Sequence, residues 1–285
     1  MLAESVHSLA DASNQGLLIL GGRTSKRKAT PTHPFGYGRD RFVYAFVVAI
    51  ILFSVGGVFS IYEGVNKLQH PHALDVPWLP ILVLIIAIVL ESFSLRVAIK
   101  ESNHARGKQS WIEFVRRAKA PELPVILLED IAALLGLVFA FIGVGLTILT
   151  GDSMWDALGT LSIGVLLIAV AIILGIETKS LLVGEGASLE DAEKIRDAIN
   201  AHADVEALIH MKTLYLGPEE LLVGAKVAFA AKKKLSAVSA ATNEVEKAIR
   251  AAVPVARVIY IEPDVYRSPG AANPTTDAIV IKGTD

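Results

Sequence analysis

The 285-residue sequence contains no cysteine. Disulfide bridges, thiolate metal ligands and cysteine nucleophiles are therefore excluded, and any bound metal must be held by His, Asp, Glu or Asn side chains. The chain also lacks an excess of charge of either sign, because 27 basic and 29 acidic residues give a formal net charge of −2. This balance argues against a nucleic-acid partner. What the chain has is apolar sequence: 53% of its residues are hydrophobic, which excludes a disordered protein.

The apolar residues are concentrated in five stretches, each close to the roughly 20 residues that a helix needs to cross a bilayer. The predicted spans are 1–22, 42–65, 78–98, 123–149 and 155–177. Lys and Arg are concentrated in the loops after the first and third spans, so these two loops are predicted to face the cytoplasm. The segment after the fifth span then lies on the cytoplasmic side as well.

Five spans with this orientation would place Met1 outside the cell on a helix with almost nothing before it. We therefore expect that a preceding helix is missing from this chain and that the intact protein has six spans with both ends inside. A bundle with one helix missing would have an exposed face, so impaired transport is expected of this chain. The alternative is that a short amino terminus is simply translocated.

After the fifth span the pattern becomes that of a small globular domain. Ser188 and Asp191 form a capping-box-like helix start. The apolar periodicities and turn residues predict the order helix, strand, strand, helix, strand, with the elements near 188–201, 205–216, 221–230, 237–252 and 256–261. This αββαβ order is typical of an α+β ferredoxin-like domain. The predicted organisation is a membrane domain 1–183, a soluble domain 184–266 and a flexible tail 267–285.

Four ionisable residues fall inside the predicted spans, where such groups are costly and usually functional. His7 and Asp11 lie four residues apart, on one face of the first helix, and Glu129 and Asp130 are adjacent in the fourth. Adjacent helical residues point about 100° apart, so the two carboxylates are predicted to face different neighbours. An imidazole and carboxylates between two helices suit Zn²⁺ or another divalent first-row ion. The alternative is that they only form hydrogen bonds between helices.

Two motifs resemble those of the cation diffusion facilitator family of divalent-metal transporters. One is Ala-Glu-Ser-Val-His-Ser-Leu-Ala-Asp at 3–11, and the other is His-Pro-Phe-Gly-Tyr-Gly-Arg at 33–39. The resemblance extends from residue 1 to about residue 266 and includes the order of the spans and the αββαβ domain. It implies a six-span helical bundle, a homodimer formed through the C-terminal domain, a divalent metal ion and protons as partners, and neither an enzymatic activity nor an organic cofactor.

The sequence departs from the family pattern in its fourth span. The family's zinc transporters commonly have His-x-x-x-Asp there, and while Asp130 matches the Asp, Ile126 occupies the His position. Leu-Glu-Asp at 128–130 resembles a divergent branch of the family, which makes Glu129 the candidate fourth ligand beside His7, Asp11 and Asp130.

The soluble domain departs from the pattern of metal-binding members too. Ile209, Ala225 and Ile261 occupy positions where such members place His, so this domain is predicted to dimerise without binding metal. His202 and His210 are predicted to face solvent or to pack.

These observations predict a homodimeric antiporter in the plasma membrane that exports Zn²⁺ from the cytoplasm in exchange for protons. The exchange has a simple basis, because metal and protons compete for the same ligand atoms and a His side chain titrates near neutral pH. Two alternatives stay open. One is efflux of Mn²⁺, Fe²⁺ or Co²⁺, and the other is a membrane-anchored metal-binding scaffold or sensor that does not transport.

Overall fold

The computed structural model describes residues 2–70 and 78–266, with the side chains of residues 2–11 excepted. A helical part comes first and an α+β part follows it. The elements of the helical part are α1 (Leu2–Thr24), α2 (Asp40–Ile51), a π-helical segment (Leu52–Val58), α3 (Phe59–Gln69), α4 (Trp78–Arg106), α5 (Trp111–Arg117), α6 (Glu122–Thr150) and α7 (Met154–Val183). Those of the α+β part are α8 (Leu189–Asn200), β1 (Val205–Gly217), β2 (Glu220–Phe229), α9 (Leu235–Ala252) and β3 (Ala256–Asp264).

Four stretches of helix in the described part of the chain are long and apolar enough to cross a membrane. They are Asp40–Gln69, Trp78–Arg106, Glu122–Thr150 and Met154–Val183. They coincide with the second to fifth predicted spans, and the first predicted span forms α1. The predicted fold class, a helical transmembrane part followed by a small αββαβ domain, is confirmed.

The second span is not a uniform α-helix, because its middle turns are π-helical. Gly56 and Gly57 lie in this segment and are both buried. A Cβ atom added at Gly57 would lie 2.5 Å from the Ile168 side chain of α7. The second span and α7 therefore pack closely at the π-helical segment, a kind of irregularity that often occurs at functional sites.

The contacts between Cα atoms divide the chain into two units. Residues 1–185 together with 216–219 form one, and residues 186–215 together with those from 220 onward form the other. The core of the first unit lies where α1, α2, α6 and α7 meet. Fully buried residues of that core include Ala45, Val48, Val125, Ala132 and Leu167.

The second unit is a three-stranded sheet with two helices. The strand order is β1-β2-β3, and β2 pairs with β3 in parallel. Only two residues join β1 to β2, a connection short enough for antiparallel strands alone. The backbone N–H of Asp191 donates to Ser188 Oγ at 3.1 Å, so the predicted helix cap is confirmed. The predicted flexible tail 267–285 lies outside the described residues.

An ion-pair cluster joins β2 to β3 in this unit. Lys226 Nζ lies 3.0 Å from Glu262 Oε1 and 3.1 Å from Asp264 Oδ2. The hydrogen bonds to Glu262 and then to Asp264 raise the pKa of Lys226. A raised pKa means that the stabilisation is fully present below the ordinary lysine value of about 10.4 and is lost as the pH rises through the higher value of the folded state.

We expect Lys226→Met to accelerate amide hydrogen exchange in the carboxyl-terminal half of β3 by a few-fold at pH 7, because the two carboxylates lose their shared cation. The acceleration should disappear when the same comparison is made above the raised pKa of Lys226. Lys247→Met is the matched control, since the Lys247 side chain is 80% exposed and its carboxylate partner lies 3.9 Å away. Equal exchange in both variants at pH 7 would show that the cluster contributes nothing.

Candidate metal site

The two carboxylates predicted in the fourth span lie inside the helical unit. Glu129 and Asp130 are each 5% exposed. They follow the start of α6 at Glu122 by about two turns of helix, a depth of roughly 10 Å at the helical rise. Burying two adjacent acids in an apolar bundle is costly unless each has polar partners.

Each carboxylate accepts a hydrogen bond from a different helix. Asn14 Nδ2 on α1 donates to Glu129 Oε1 at 2.7 Å. Ser94 Oγ on α4 donates to Asp130 Oδ2 at 2.9 Å. The prediction that the two acids face different neighbours is thus confirmed, and α6 is bonded through them to both α1 and α4.

Sequence reasoning missed Asn14, which is fully buried. Its Nδ2 atom holds Glu129, while its Oδ1 atom is buried and has no hydrogen-bond partner among the residues whose side chains are described. Leaving a buried carbonyl oxygen unpaired costs on the order of 1–3 kcal/mol. The available signal was positional, because Asn14 follows Asp11 by three residues and His7 by seven and so shares their helix face.

The other two predicted ligands, His7 and Asp11, lie on α1, but their side chains are outside the described part of the structure. Helix α1 continues without interruption from Leu2 to Thr24. The backbone therefore places residues 7, 11 and 14 on one face, and the roles of His7 and Asp11 stay predictions. Among the described side chains, no three His, Cys, Asp or Glu residues form a group that could hold a metal ion.

Two ion pairs lie toward opposite ends of the helical unit. At the end with the basic loops, Arg41 at the start of α2 donates through Nη2 to Glu122 Oε2 at 2.9 Å, at the start of α6. At the other end, Lys67 Nζ on α3 lies 2.9 Å from Asp156 Oδ2 and donates to Thr160 Oγ1 at 3.0 Å, both on α7. The buried carboxylates lie between these two linked ends.

The two histidines of the second unit differ in their hydrogen bonding, because the buried Nδ1 atom of His210 has no hydrogen-bond partner among the described residues. His202 Nδ1 accepts a hydrogen bond from the backbone N–H of Asp204 at 3.2 Å, just before β1. His210 is half-buried on β1. Both positions agree with the prediction of packing or solvent-facing roles.

Comparison with known proteins connects these features to one family. A family model described as the cation efflux transmembrane domain matches residues 1–183. The chain is 34% identical over 232 residues to the proton-coupled zinc antiporter SLC30A9, mitochondrial, of Xenopus laevis, a match covering 80% of this chain and 41% of the relative. It is 29% identical to metal tolerance protein C4 of Arabidopsis thaliana, with 80% of this chain and 50% of that protein covered.

A bacterial relative is more distant. The magnetosome protein MamB of Magnetospira sp. (strain QH-2) is 24% identical over 181 residues, or 62% of this chain and 55% of the relative. The chain spans about half or less of the length of the Xenopus laevis and Arabidopsis thaliana relatives. The family match covers the whole helical part, including α6 with its two buried acids, so this chain belongs to the cation efflux family, the cation diffusion facilitators, and is a multi-pass membrane protein.

Proposed function

We propose that the protein is a divalent metal cation transporter that exports Zn²⁺ from the cytoplasm in exchange for protons. The observation that carries this proposal is the pair of carboxylates at Glu129 and Asp130, each buried in an apolar helical unit and each held by a donor from a neighbouring helix. The names of two relatives support it, since one is called a proton-coupled zinc antiporter and another a metal tolerance protein.

The proposed transport site consists of His7, Asp11, Glu129 and Asp130. Carboxylate oxygens and a neutral imidazole bind a divalent cation, and the same atoms bind protons when the cation leaves. Because metal and protons compete for the same atoms, a difference in pH across the membrane favours loading with metal on one side and unloading by protons on the other. Asn14 and Ser94 orient the two acids for either occupant.

Movement of the ion requires that the site open to one side at a time. The Arg41–Glu122 pair closes α2 against α6 at the end with the basic loops, and the Lys67–Asp156 pair closes α3 against α7 at the other. Rocking of helix groups about the site, as in other transporters, would separate one set of helix ends while the other set stays together.

The remaining parts of the proposal concern assembly and location. The soluble domain 184–266 forms the homodimer contact, and the membrane domain is 1–183. The basic loops and the soluble domain face the cytoplasm, and the proposed membrane is the plasma membrane. These assignments are independent of which metal is carried.

Transport in proteoliposomes tests the proposal, with this chain and a longer chain that includes the upstream coding sequence assayed in parallel. We expect Zn²⁺ to accumulate in vesicles whose lumen is more acidic than the medium, and an ionophore that dissipates the proton gradient should stop it. Vesicles without protein are the control. Zn²⁺ binding without any flux of Zn²⁺ or another divalent ion would instead identify a membrane-anchored sensor or scaffold, and zinc flux indifferent to the gradient would refute proton exchange.

A second candidate substrate is a harder ion such as Mn²⁺, Fe²⁺ or Co²⁺. The specific observation in its favour is that both donors to the buried acids, Asn14 and Ser94, add oxygen atoms, while Ile126 in the preceding turn of α6 adds no ligand. Oxygen-rich sites suit harder ions. The same vesicles, loaded in parallel with Mn²⁺ and Co²⁺, decide between the candidates.

A further inference from the structure

The side-chain oxygen of Asn14 is a buried hydrogen-bond acceptor that no described residue of the helical unit satisfies. The residue is fully buried, Nδ2 donates to Glu129 Oε1 at 2.7 Å, and Oδ1 has no hydrogen-bond partner among the described side chains and backbone. The NH₂ group faces Glu129, because its hydrogen bond is accepted by a carboxylate oxygen. The carbonyl oxygen Oδ1 is then the branch of the amide that does not face Glu129.

The helical position of Asn14 places this oxygen beside the proposed transport site. Residues 7, 11 and 14 fall within an arc of about 60° on α1, because each residue turns the helix by about 100°. The amide of Asn14 also contacts Glu129, the neighbour of Asp130. Asn14 therefore connects the face of α1 that carries two proposed ligands with the segment of α6 that carries the other two.

We propose that Asn14 Oδ1 is itself a ligand of the transported metal and that it decides which divalent ion the site prefers. The inference rests on the proposed function, since it assigns a further ligand to the same site. A neutral carbonyl oxygen adds a coordination position without adding charge. Zn²⁺ is most often satisfied by four ligands, whereas Mn²⁺ favours a larger set of oxygen ligands. Asn14 thus raises affinity for Mn²⁺ more than for Zn²⁺.

The rival explanation is that Asn14 only positions Glu129 through its NH₂ group. Two substitutions separate the roles. Asn14→Leu keeps the branched arrangement of heavy atoms and removes both polar groups. Asn14→Asp keeps an oxygen at the Oδ1 position but replaces the donor by a second anion facing Glu129. If the donor is what matters, Asn14→Asp should bind metal as poorly as Asn14→Leu or worse, because the acid repels Glu129. If Oδ1 is a ligand, Asn14→Asp should bind at least as tightly as the wild type.

The experiment titrates the purified full chain in detergent with Mn²⁺ alone and with Zn²⁺ alone at pH 8. We expect Asn14→Leu to lose about tenfold or more in Mn²⁺ affinity, with a smaller loss for Zn²⁺, and Asn14→Asp to match or exceed the wild type for both. Gln15→Leu is the matched control, because Gln15 is the next residue of α1 and its amide is exposed; it should leave both affinities unchanged.

The visible absorption of bound Co²⁺ depends on the number of its ligands, and that number would not change if Asn14 only positioned Glu129. This absorption should be weak in the wild type, as for five or six ligands, and should intensify toward that of the four-coordinate form in Asn14→Leu.

The inference would be overturned if Asn14→Leu bound metal with the wild-type affinities, or if Asn14→Asp bound no better than Asn14→Leu. Either result would leave the proposed function intact. If Asn14→Leu does not fold, the comparison of Asn14→Asp with the wild type decides. Equal or tighter metal binding by Asn14→Asp supports the assignment of Oδ1 as a ligand, and weaker binding overturns it. A wild-type chain that binds neither ion would overturn both.

Discussion

Replacement of Asp130 by Asn should reduce metal transport by about a hundredfold or more. The substitution keeps the size of the side chain and an oxygen that can still accept the hydrogen bond from Ser94 Oγ. It removes one negative charge from a position that is 5% exposed, where no solvent can replace that charge for a bound cation. Loss of outer partners of a metal site commonly costs 10- to 100-fold, and loss of a charged ligand should reach or exceed the upper end of that range.

The measurement is the initial rate of Zn²⁺ uptake into proteoliposomes under an imposed pH gradient. Asp152→Asn is the matched control, because Asp152 is an exposed acid in the α6–α7 connection and Asn can still accept the hydrogen bond that its Oδ1 receives from the Met154 N–H. The control should transport normally, and both variants should elute with the same apparent size as the wild type. Undiminished uptake by the Asp130→Asn protein would remove Asp130 from the transport site.

Replacement of Gly164 by Ala should destabilise the helical unit, although alanine is the better helix former. A Cβ atom at Gly164 would lie 2.8 Å from the Ile61 side chain and 2.9 Å from the Ile61 backbone nitrogen. A side-chain tip can rotate away, but the backbone of α3 can yield only if α3 and α7 move apart. Overpacking of this kind costs about 1–3 kcal/mol.

Gly175→Ala on the same helix is the control, since nothing lies within 4 Å of a Cβ atom added there. The higher helix propensity of alanine should make this substitution neutral or should stabilise the protein by up to about 1 kcal/mol. When the fraction of monodisperse protein is followed against temperature in detergent, Gly164→Ala should therefore lower the transition temperature and Gly175→Ala should leave it unchanged or raise it. If both shift alike, the close approach of α3 and α7 does not limit stability.

The spans and the αββαβ order were predictable because they depend on local properties. Whether a stretch of about 20 residues prefers lipid depends on a sum over its own side chains, and the alternation of helix and strand in the soluble unit follows from the period of its apolar residues. The helix cap at Ser188 is local as well, since it lies within one turn of its partner.

Features that depend on the surroundings were not predictable in the same way. The short helix α5 in the second basic loop was missed, although Ser110 caps it by accepting from the Glu113 N–H at 3.1 Å. Seven helical residues, Trp111–Arg117, are too short a segment for periodicity to be informative. The π-helical turns between Leu52 and Val58 were missed too, because their hydropathy is that of an ordinary span.

The sequence by itself determined which chemistry is available to this protein. The absence of cysteine excludes thiolate ligands, and the rarity of acids inside apolar helices singles out Glu129 and Asp130. The tertiary structure alone decided that Glu129 turns to Asn14 on α1 and Asp130 to Ser94 on α4. Composition and spacing place residues on a helix face, but the partner that a face meets depends on how whole helices rotate and pack against one another, and that is set by contacts between residues far apart in the chain.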